Sequence, residues 1–372
     1  MAHWVTAWAT AHTAAEPFAL SLGGRTAQAA LYCPVGGGQV RIKLSNRYGA
    51  APVRIGAASV WAGGRCCPLA FGGQSGVTVP PGREVRSDGA EFSIPAGTRV
   101  CVRLYFGEGQ TAANGNALTP GRHSIPGDYT GAAQFPADPE EIWVHAQRPV
   151  PLPEPVTLLS ALEVANDTAR AVAVLGDSNT SNDFYTKPMT ELLGRRNIAL
   201  LNLGIGGNRL LRDSAAPDAG SLYGQSAQSR IEWDVFDLSG LDTVILAVGI
   251  NDIFQPGTSA APIGQLCTVS QLWDATVRLA ERCRARGLEP IGSTLVPIAG
   301  ADAVTEEKLD ILRQYNQLVR QGGLFQRVLD FNRLLRDPEQ PDQYLPVYDS
   351  GDHLHFNPAA GVHIAECAGR LL

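Results

Sequence analysis

The feature that most constrains this chain is a change in the pattern of predicted secondary structure at a proline-rich segment, residues 149–155. On the N-terminal side of this segment, short extended runs are separated by turns rich in glycine and proline. On its C-terminal side, apolar strand-like runs alternate with helical segments. Because a proline-rich segment is a stiff connector, the pattern predicts two domains, residues 1–160 and 161–372.

The N-terminal half has the periodicity of β-strands. Residues 39–44 and 98–105 alternate in polarity with a period of two, and residues 53–60 form another extended stretch. Turn sequences such as Pro80-Pro81-Gly82 fall between these runs. We therefore expect an all-β sandwich of jelly-roll-like form, acting as an accessory domain.

The C-terminal half reads as a parallel sheet with helices between its strands. The predicted strands cover residues 171–175, 198–203, 243–248 and 290–296, and the predicted helices cover 272–286, 306–320 and 358–371. The strands are near-continuous runs of Val, Ile and Leu, which a parallel sheet buried on both faces requires. The sequence predicts a three-layer α/β domain here.

Composition narrows the choice of partners. With 30 Lys and Arg residues against 36 Asp and Glu, the net charge is −6, which gives no electrostatic reason to expect nucleic acid or an anionic membrane. A small neutral substrate fits better, and the sequence leaves the oligomeric state open. The seven cysteines include no CxxC pair, so we expect reduced thiols and no metal. Residues 1–6 lack a basic region followed by an apolar core, so we expect a cytoplasmic protein, although a cleaved leader would place it outside the cell.

Motifs that could carry chemistry stand at the ends of the predicted strands. Residues 176–179, 204–208 and 249–252 each follow a strand, and residues 352–355 precede the terminal helix. In open parallel sheets, the carboxyl ends of the strands converge on one crevice. A serine hydroxyl is a poor nucleophile unless a base takes its proton, and the base works best when a carboxylate orients it. Ser178, His355 and Asp352 supply these three parts of an acyl-transfer site.

These four motifs resemble the sequence blocks of the GDSL or SGNH hydrolases, in the same order, over residues 168–372. The resemblance implies a flavodoxin-like α/β/α domain with Ser178 as the nucleophile, His355 as the base and Asp352 as the carboxylate that orients it. It also implies an oxyanion hole made by the N–H groups of Ser178 and Gly207 and the side-chain amide of Asn251. No metal or other cofactor is implied.

Two N-terminal segments, residues 4–9 and 41–49, are similar to the β-domain of a bacterial subgroup that includes xylan-associated acetyl and aryl esterases. That similarity implies a short acyl group, such as acetate on a plant-type polysaccharide or oligosaccharide. A lysophospholipase or broad thioesterase would use the same residues with a different pocket. From another class, a non-catalytic carbohydrate-binding protein is the alternative, and the complete set of site residues argues against it.

Several assignments have a competitor nearby in the sequence. Gly206 precedes Gly207 and could supply the backbone donor instead; the spacing favours Gly207. His353 also lies next to Asp352, but the three-residue offset to His355 lets the carboxylate fold back onto the ring.

Polar neighbours of these residues have structural interpretations. We expect Asp177 to bond backbone amides in the turn below Ser178. Asp252 could ligate a metal, but a cap or ion pair is favoured because no partner ligand stands at suitable spacing. Asn179 occupies a position where the family often has Leu or Ile, which makes the floor of the site more polar.

Overall fold

The computed structural model describes residues 2–14, 20–112, 114–138, 155–214 and 223–372. Within these ranges the chain forms two compact units, Met1–Arg170 and Ala171–Leu372. The predicted connector lies outside the described residues except for its last proline.

The N-terminal unit is built of antiparallel β-sheet, which confirms the predicted all-β class. Its strands are β1 (Trp4–Ala9), β2 (Thr13–Ala14), β3 (Leu20–Ser21), β4 (Arg25–Cys33), β5 (Gly37–Ser45), β6 (Val53–Ala62), β7 (Arg65–Pro68), β8 (Val77–Val79), β9 (Glu84–Arg86), β10 (Ala90–Ile94), β11 (Thr98–Phe106), β12 (Thr111–Ala112), β13 (Asn114–Pro126), β14 (Pro155–Thr157) and β15 (Leu159–Ala165). The two larger sheets have the orders β1-β15-β5-β10 and β14-β13-β4-β11-β6-β7.

Alternating burial explains why these runs become strands. In β4, Ala29, Leu31 and Cys33 are buried, whereas Ala30 and Tyr32 between them are exposed. Successive side chains of a strand point to opposite faces, so this pattern places one face on the core and the other in solvent.

The position of the domain boundary differs from the prediction. We expected the second domain to begin at residue 161, but β15 pairs antiparallel with β1 and β5 and belongs to the first unit. Its sequence, Leu-Ser-Ala-Leu-Glu-Val-Ala, is a short apolar run that would suit either domain. Only the long-range pairing decides its place, and the boundary therefore follows Arg170.

The C-terminal unit contains one sheet with the order β17-β16-β18-β19-β20. Its strands are β16 (Arg170–Gly176), β17 (Ile198–Gly204), β18 (Leu241–Ala247), β19 (Glu289–Ser293) and β20 (Val328–Leu329). The pairs β16–β18, β18–β19 and β19–β20 are parallel. This strand order is that of flavodoxin-like sheets and confirms the predicted α/β fold.

Helices connect the strands of this sheet. They are α1 (Ser178–Ser181), α2 (Thr186–Gly194), α3 (Ala227–Asp234), α4 (Ile250–Phe254), α5 (Val269–Arg284), α6 (Glu306–Gln321), α7 (Phe331–Leu335) and α8 (Pro358–Ala368), with a short 3-10 turn at Ile263–Gln265. Helices α5, α6 and α8 confirm the three predicted helices, and side chains of Thr268, Thr305 and Asn357 cap their first turns. In the described part of the chain, no helix combines the length and apolar composition needed to cross a bilayer.

The strand order fixes where a site can form. β16 lies at the point where the chain reverses its direction of travel across the sheet, between β17 and β18. Loops after β16 and β18 therefore leave in opposite directions and open a crevice at the carboxyl ends of the strands. Ser178 follows β16, and Asn251 follows β18.

Candidate active site

Ser178, His355 and Asp352 form one continuous hydrogen-bonded chain. The Ser178 Oγ lies 2.8 Å from His355 Nε2, and His355 Nδ1 lies 2.6 Å from Asp352 Oδ2. The Nδ1–H donates to the carboxylate, which leaves Nε2 as the acceptor for the serine O–H. The structure thus brings a hydroxyl from the middle of the chain within proton-transfer distance of an imidazole near its carboxyl end.

Backbone donors fix the carboxylate of this chain. Asp352 Oδ1 accepts the N–H groups of Leu354 at 2.9 Å and His355 at 2.8 Å, and the Ser350 hydroxyl at 2.9 Å. Although partial burial acts to raise it, these bonds and the His355 ring hold the pKa of Asp352 well below its usual range. The three-residue offset therefore orients the carboxylate and further stabilises its ionised form.

The turn below the serine is fixed by Asp177 and Gly176. Asp177 is the N-cap of α1 and accepts the Asn179 N–H at 3.0 Å, as expected from the sequence. A Cβ on Gly176 would lie 2.0 Å from Thr180 Oγ1, so only glycine fits there. Burial raises the pKa of Asp177 to about 7, against the opposing effects of the Asn179 N–H and His355.

Asn179 connects the turn to the histidine segment. Its Nδ2 donates to the Leu354 carbonyl over 3.4 Å, and the Tyr344 hydroxyl donates to the same oxygen at 3.1 Å. Leu354 lies between Asp352 and His355 in the sequence. The polar residue next to the nucleophile thus helps to hold the loop that carries its base.

Gly207 occupies a position that excludes any side chain. Its φ is +71°, in the left-handed region, whereas Gly206 does not have a positive φ. A Cβ at 207 would lie 2.4 Å from the Tyr223 ring, and the Gln255 side chain donates to the Gly207 carbonyl at 2.7 Å. The loop after β17 is therefore held in one conformation at Gly207, although its N–H as the oxyanion donor stays a prediction.

Asn251 lies against the same loop. It is 3% exposed at the start of α4, and its Nδ2 donates to the Asn208 carbonyl at 3.0 Å. An amide nitrogen carries two N–H groups, so this bond orients the side chain and uses one donor. Ser178 thus follows β16, Gly207 lies in the loop after β17, and Asn251 follows β18.

His353 pairs with a different carboxylate, that of Asp349. Its Nδ1 lies 2.5 Å from Asp349 Oδ2, and its φ is +58°. Residues 349–355 thus contain two separate histidine–aspartate pairs, and of the two histidines it is His355 that lies at hydrogen-bond distance from Ser178. Asp349 was missed in the sequence, although its four-residue spacing to His353 was a visible signal.

The other polar candidates have structural partners. Asp252 accepts the N–H groups of Leu210 at 2.6 Å and Leu211 at 3.0 Å, and burial raises its pKa to about 6. Arg209 donates to Gln265 and to the Asp213 carbonyl. Across the described ranges, no group of three or more His, Cys, Asp or Glu side chains is arranged to hold a metal ion. Asp252 therefore fixes the loop after Gly207.

Comparison with protein families agrees with this arrangement. The profile of the GDSL-like lipase/acylhydrolase family matches residues 174–360, a range that contains Ser178, Gly207, Asn251, Asp352 and His355. The chain belongs to this family and is a serine esterase of the GDSL type.

Solved structures with similar folds come from several proteins. The acetyl xylan esterase AlAXEase is 20% identical, and the match covers 54% of this chain and 99% of that one with a TM-score of 0.39. A GDSL-like lipase from Bacteroides thetaiotaomicron is 15% identical, with 54% of this chain and 86% of that one covered and a TM-score of 0.41. An acetylxylan esterase from Geobacillus stearothermophilus is 17% identical, with 54% of this chain and 93% of that one covered and a TM-score of 0.40. A search of curated proteins gives no match.

Proposed function

We propose that the protein hydrolyses esters of short acyl groups, above all acetate on hydroxyls of plant-type poly- or oligosaccharides, through an acyl-enzyme on Ser178. The observation that carries the catalytic part is the unbroken chain from Ser178 Oγ through the His355 ring to the Asp352 carboxylate. A serine in a purely structural turn has no need of a base that is itself oriented by an ionised carboxylate.

Acylation begins when the Ser178 oxygen attacks the ester carbonyl. His355 Nε2 accepts the hydroxyl proton, and Asp352 stabilises the resulting imidazolium. Negative charge develops on the carbonyl oxygen, which accepts hydrogen bonds from the N–H groups of Ser178 and Gly207 and from the Asn251 side-chain amide. Each donor of this kind stabilises the transition state by about 3 kcal/mol.

Collapse of the tetrahedral intermediate releases the alcohol. The C–O bond to the leaving group breaks, and the His355 Nε2–H supplies the proton that the alcohol oxygen needs. Water then attacks the acyl-enzyme with His355 as its base, and the carboxylic acid leaves as Ser178 regains its proton. Throughout the cycle Asp352 stays ionised at neutral pH, since its ordinary pKa already lies well below 7 and its bonds to His355 and to the backbone N–H groups lower it further.

The acyl group and the alcohol are inferred from the sequence. The N-terminal segments resemble those of acetyl and aryl esterases, and the net charge of −6 favours a neutral substrate over an anionic one.

Release of acetate from acetylated xylan, acetylated mannan and simple aryl acetates tests the proposal. We expect acetyl esters of p-nitrophenol to be hydrolysed faster than long-chain esters, and Ser178→Ala to lower kcat by at least about 10⁴-fold. Ser293→Ala is the matched control, because this buried hydroxyl only donates to the Leu246 carbonyl of the sheet. Faster turnover of long-chain esters or thioesters would favour a lysophospholipase or thioesterase. Full activity of Ser178→Ala would overturn the proposal.

A further inference from the structure

Arg230, in α3, is the largest side chain that is fully buried in the described structure, at 0% exposure. A buried guanidinium is costly unless every donor finds an acceptor. The catalytic mechanism above does not use it. Its surroundings therefore need an explanation.

The guanidinium joins the ends of two strands to the loop after the second. Its Nη2 donates to the Gly176 carbonyl at 2.8 Å and its Nη1 to the Leu203 carbonyl at 2.9 Å. Its Nε donates to Asn208 Oδ1 at 2.9 Å, and Asp234 Oδ2 lies 3.0 Å from Nη1. One rigid group thus connects the carboxyl ends of β16 and β17 with Asn208.

Two of these acceptors lie close in sequence to a proposed oxyanion donor. Gly176 stands two residues before Ser178, and Asn208 directly follows Gly207. The Asn208 carbonyl also accepts the Asn251 amide at 3.0 Å. The backbone before Ser178, the residue after Gly207 and the Asn251 side chain are therefore all hydrogen-bonded to Arg230, either directly or through Asn208.

Asn208 links Arg230 by hydrogen bonds to the rest of the loop after β17. Its Nδ2 donates to the carbonyls of Tyr223 at 2.7 Å and Gln225 at 2.8 Å, while its Oδ1 accepts from Arg230. Tyr223 is the residue whose ring packs on Gly207. Loss of the guanidinium would leave Asn208 Oδ1 without its donor and would remove the link between this loop and the carboxyl ends of β16 and β17.

We propose that Arg230 is a positioning residue that sets the geometry of the oxyanion hole by tying Gly176, Leu203 and Asn208 together. The inference rests on the proposed function. Lysine could not replace it, because a single ammonium lacks the planar fork of donors that reaches three acceptors in different directions. Donors misplaced by a fraction of an ångström weaken binding of the transition state more than binding of the substrate.

Arg230→Lys and Arg230→Met test this role. We expect kcat for p-nitrophenyl acetate to fall about 10- to 100-fold with KM changed less than about threefold. We expect the inhibition constant of a trifluoromethyl ketone, which forms a tetrahedral adduct with the serine, to rise in parallel with the loss of kcat. A residue that only stabilised the fold would lower the melting temperature without moving this constant in the folded enzyme.

Arg282→Met is the matched control. Arg282, in α5, donates to the Gln228 carbonyl and to the Glu232 carboxylate of α3. By the helical period, Gln228 and Glu232 lie on the opposite side of α3 from Arg230. We expect its kcat and inhibition constant to stay within about twofold of the parent values. Should the Arg230 variants fail to fold, Asn208→Ala removes one guanidinium contact together with the bonds from Asn208 to the Tyr223 and Gln225 carbonyls. It leaves the Arg230 bonds to Gly176 and Leu203, and the same loss of inhibitor affinity is expected.

Two failures can be told apart. If Ser178→Ala is active, the proposed function is wrong whatever Arg230 does. If Ser178→Ala is inactive but a folded Arg230→Met or Asn208→Ala variant binds the ketone and turns over as the parent does, the inference about Arg230 is overturned and the proposed function stands.

Discussion

Replacement of Asn251 by alanine should lower both kcat and the free energy of unfolding, and the two losses can be measured separately. Asn251 is buried, and one N–H of its amide donates to the Asn208 carbonyl at 3.0 Å. The proposed mechanism uses the other N–H for the oxyanion. Alanine removes both donors without adding bulk or charge.

The two losses have different sizes and different assays. Loss of an oxyanion donor lowers kcat by about 10²- to 10³-fold, and KM should change little because the donor acts mainly in the transition state. Loss of the donor to a buried carbonyl lowers the free energy of unfolding by about 1–3 kcal/mol. Initial rates with p-nitrophenyl acetate measure the first effect, and urea unfolding followed by circular dichroism measures the second.

Asn316→Ala provides the comparison that makes the result decisive. Asn316 is equally buried, donates to the Leu295 carbonyl at 2.9 Å and accepts the Leu295 N–H at 2.7 Å. Because alanine removes both of these bonds, this variant should lose at least as much stability as Asn251→Ala and keep kcat within about threefold of the parent. If both variants lose kcat equally, or if Asn251→Ala keeps it, Asn251 is not an oxyanion donor.

Three further predictions follow from the site and its supports. Asp352→Asn should lower kcat by about 10⁴-fold because the His355 tautomer is no longer fixed; a loss below tenfold in the p-nitrophenyl acetate assay would contradict this. Asp177 has a pKa raised by burial from 3.8 to about 7, so its contribution to stability is present at low pH and lost as pH rises through this range. Urea unfolding from pH 4 to 8 should show a flatter profile for Asp177→Asn than for the parent, and parallel profiles would refute the shift. Lys308→Met removes the buried ammonium that bonds the Phe254 carbonyl at 2.9 Å and the Ala303 carbonyl at 2.7 Å, so the free energy of unfolding should fall by about 1–3 kcal/mol, whereas an unchanged urea midpoint would exclude this role.

The fold class could be predicted because its signal is local. The apolar runs at residues 171–175 and 243–248 are long enough to identify buried parallel strands, and they become β16 and β18. Short helices were missed, as in α1 and α4, because four or five residues are too few for a helical period. The domain boundary was misplaced because β15 looks the same in sequence whichever sheet it joins.

The parts of the site were recognisable for a different reason. Ser178 and His355 stand in motifs whose spacing carries their chemistry, and the structure brings them within 2.8 Å although they are far apart in the chain. Arg230 carried no such signal, and Asn208 lies in the motif at residues 204–208 without a predicted role for its side chain. A single arginine in the mostly polar sequence of α3 predicts a solvated face, and only the folded chain shows that this arginine is buried against two strand ends.

The central claim is that Ser178 is the nucleophile of an oriented serine–histidine–aspartate system. Mass spectrometry of the protein after reaction with a fluorophosphonate tests it most directly. We predict one adduct per chain, located on the peptide that contains Ser178 and absent from Ser178→Ala, with labelling slowed in Asp352→Asn. Stoichiometric labelling of Ser178→Ala at another residue, or ester hydrolysis by a parent enzyme that forms no adduct, would contradict the account.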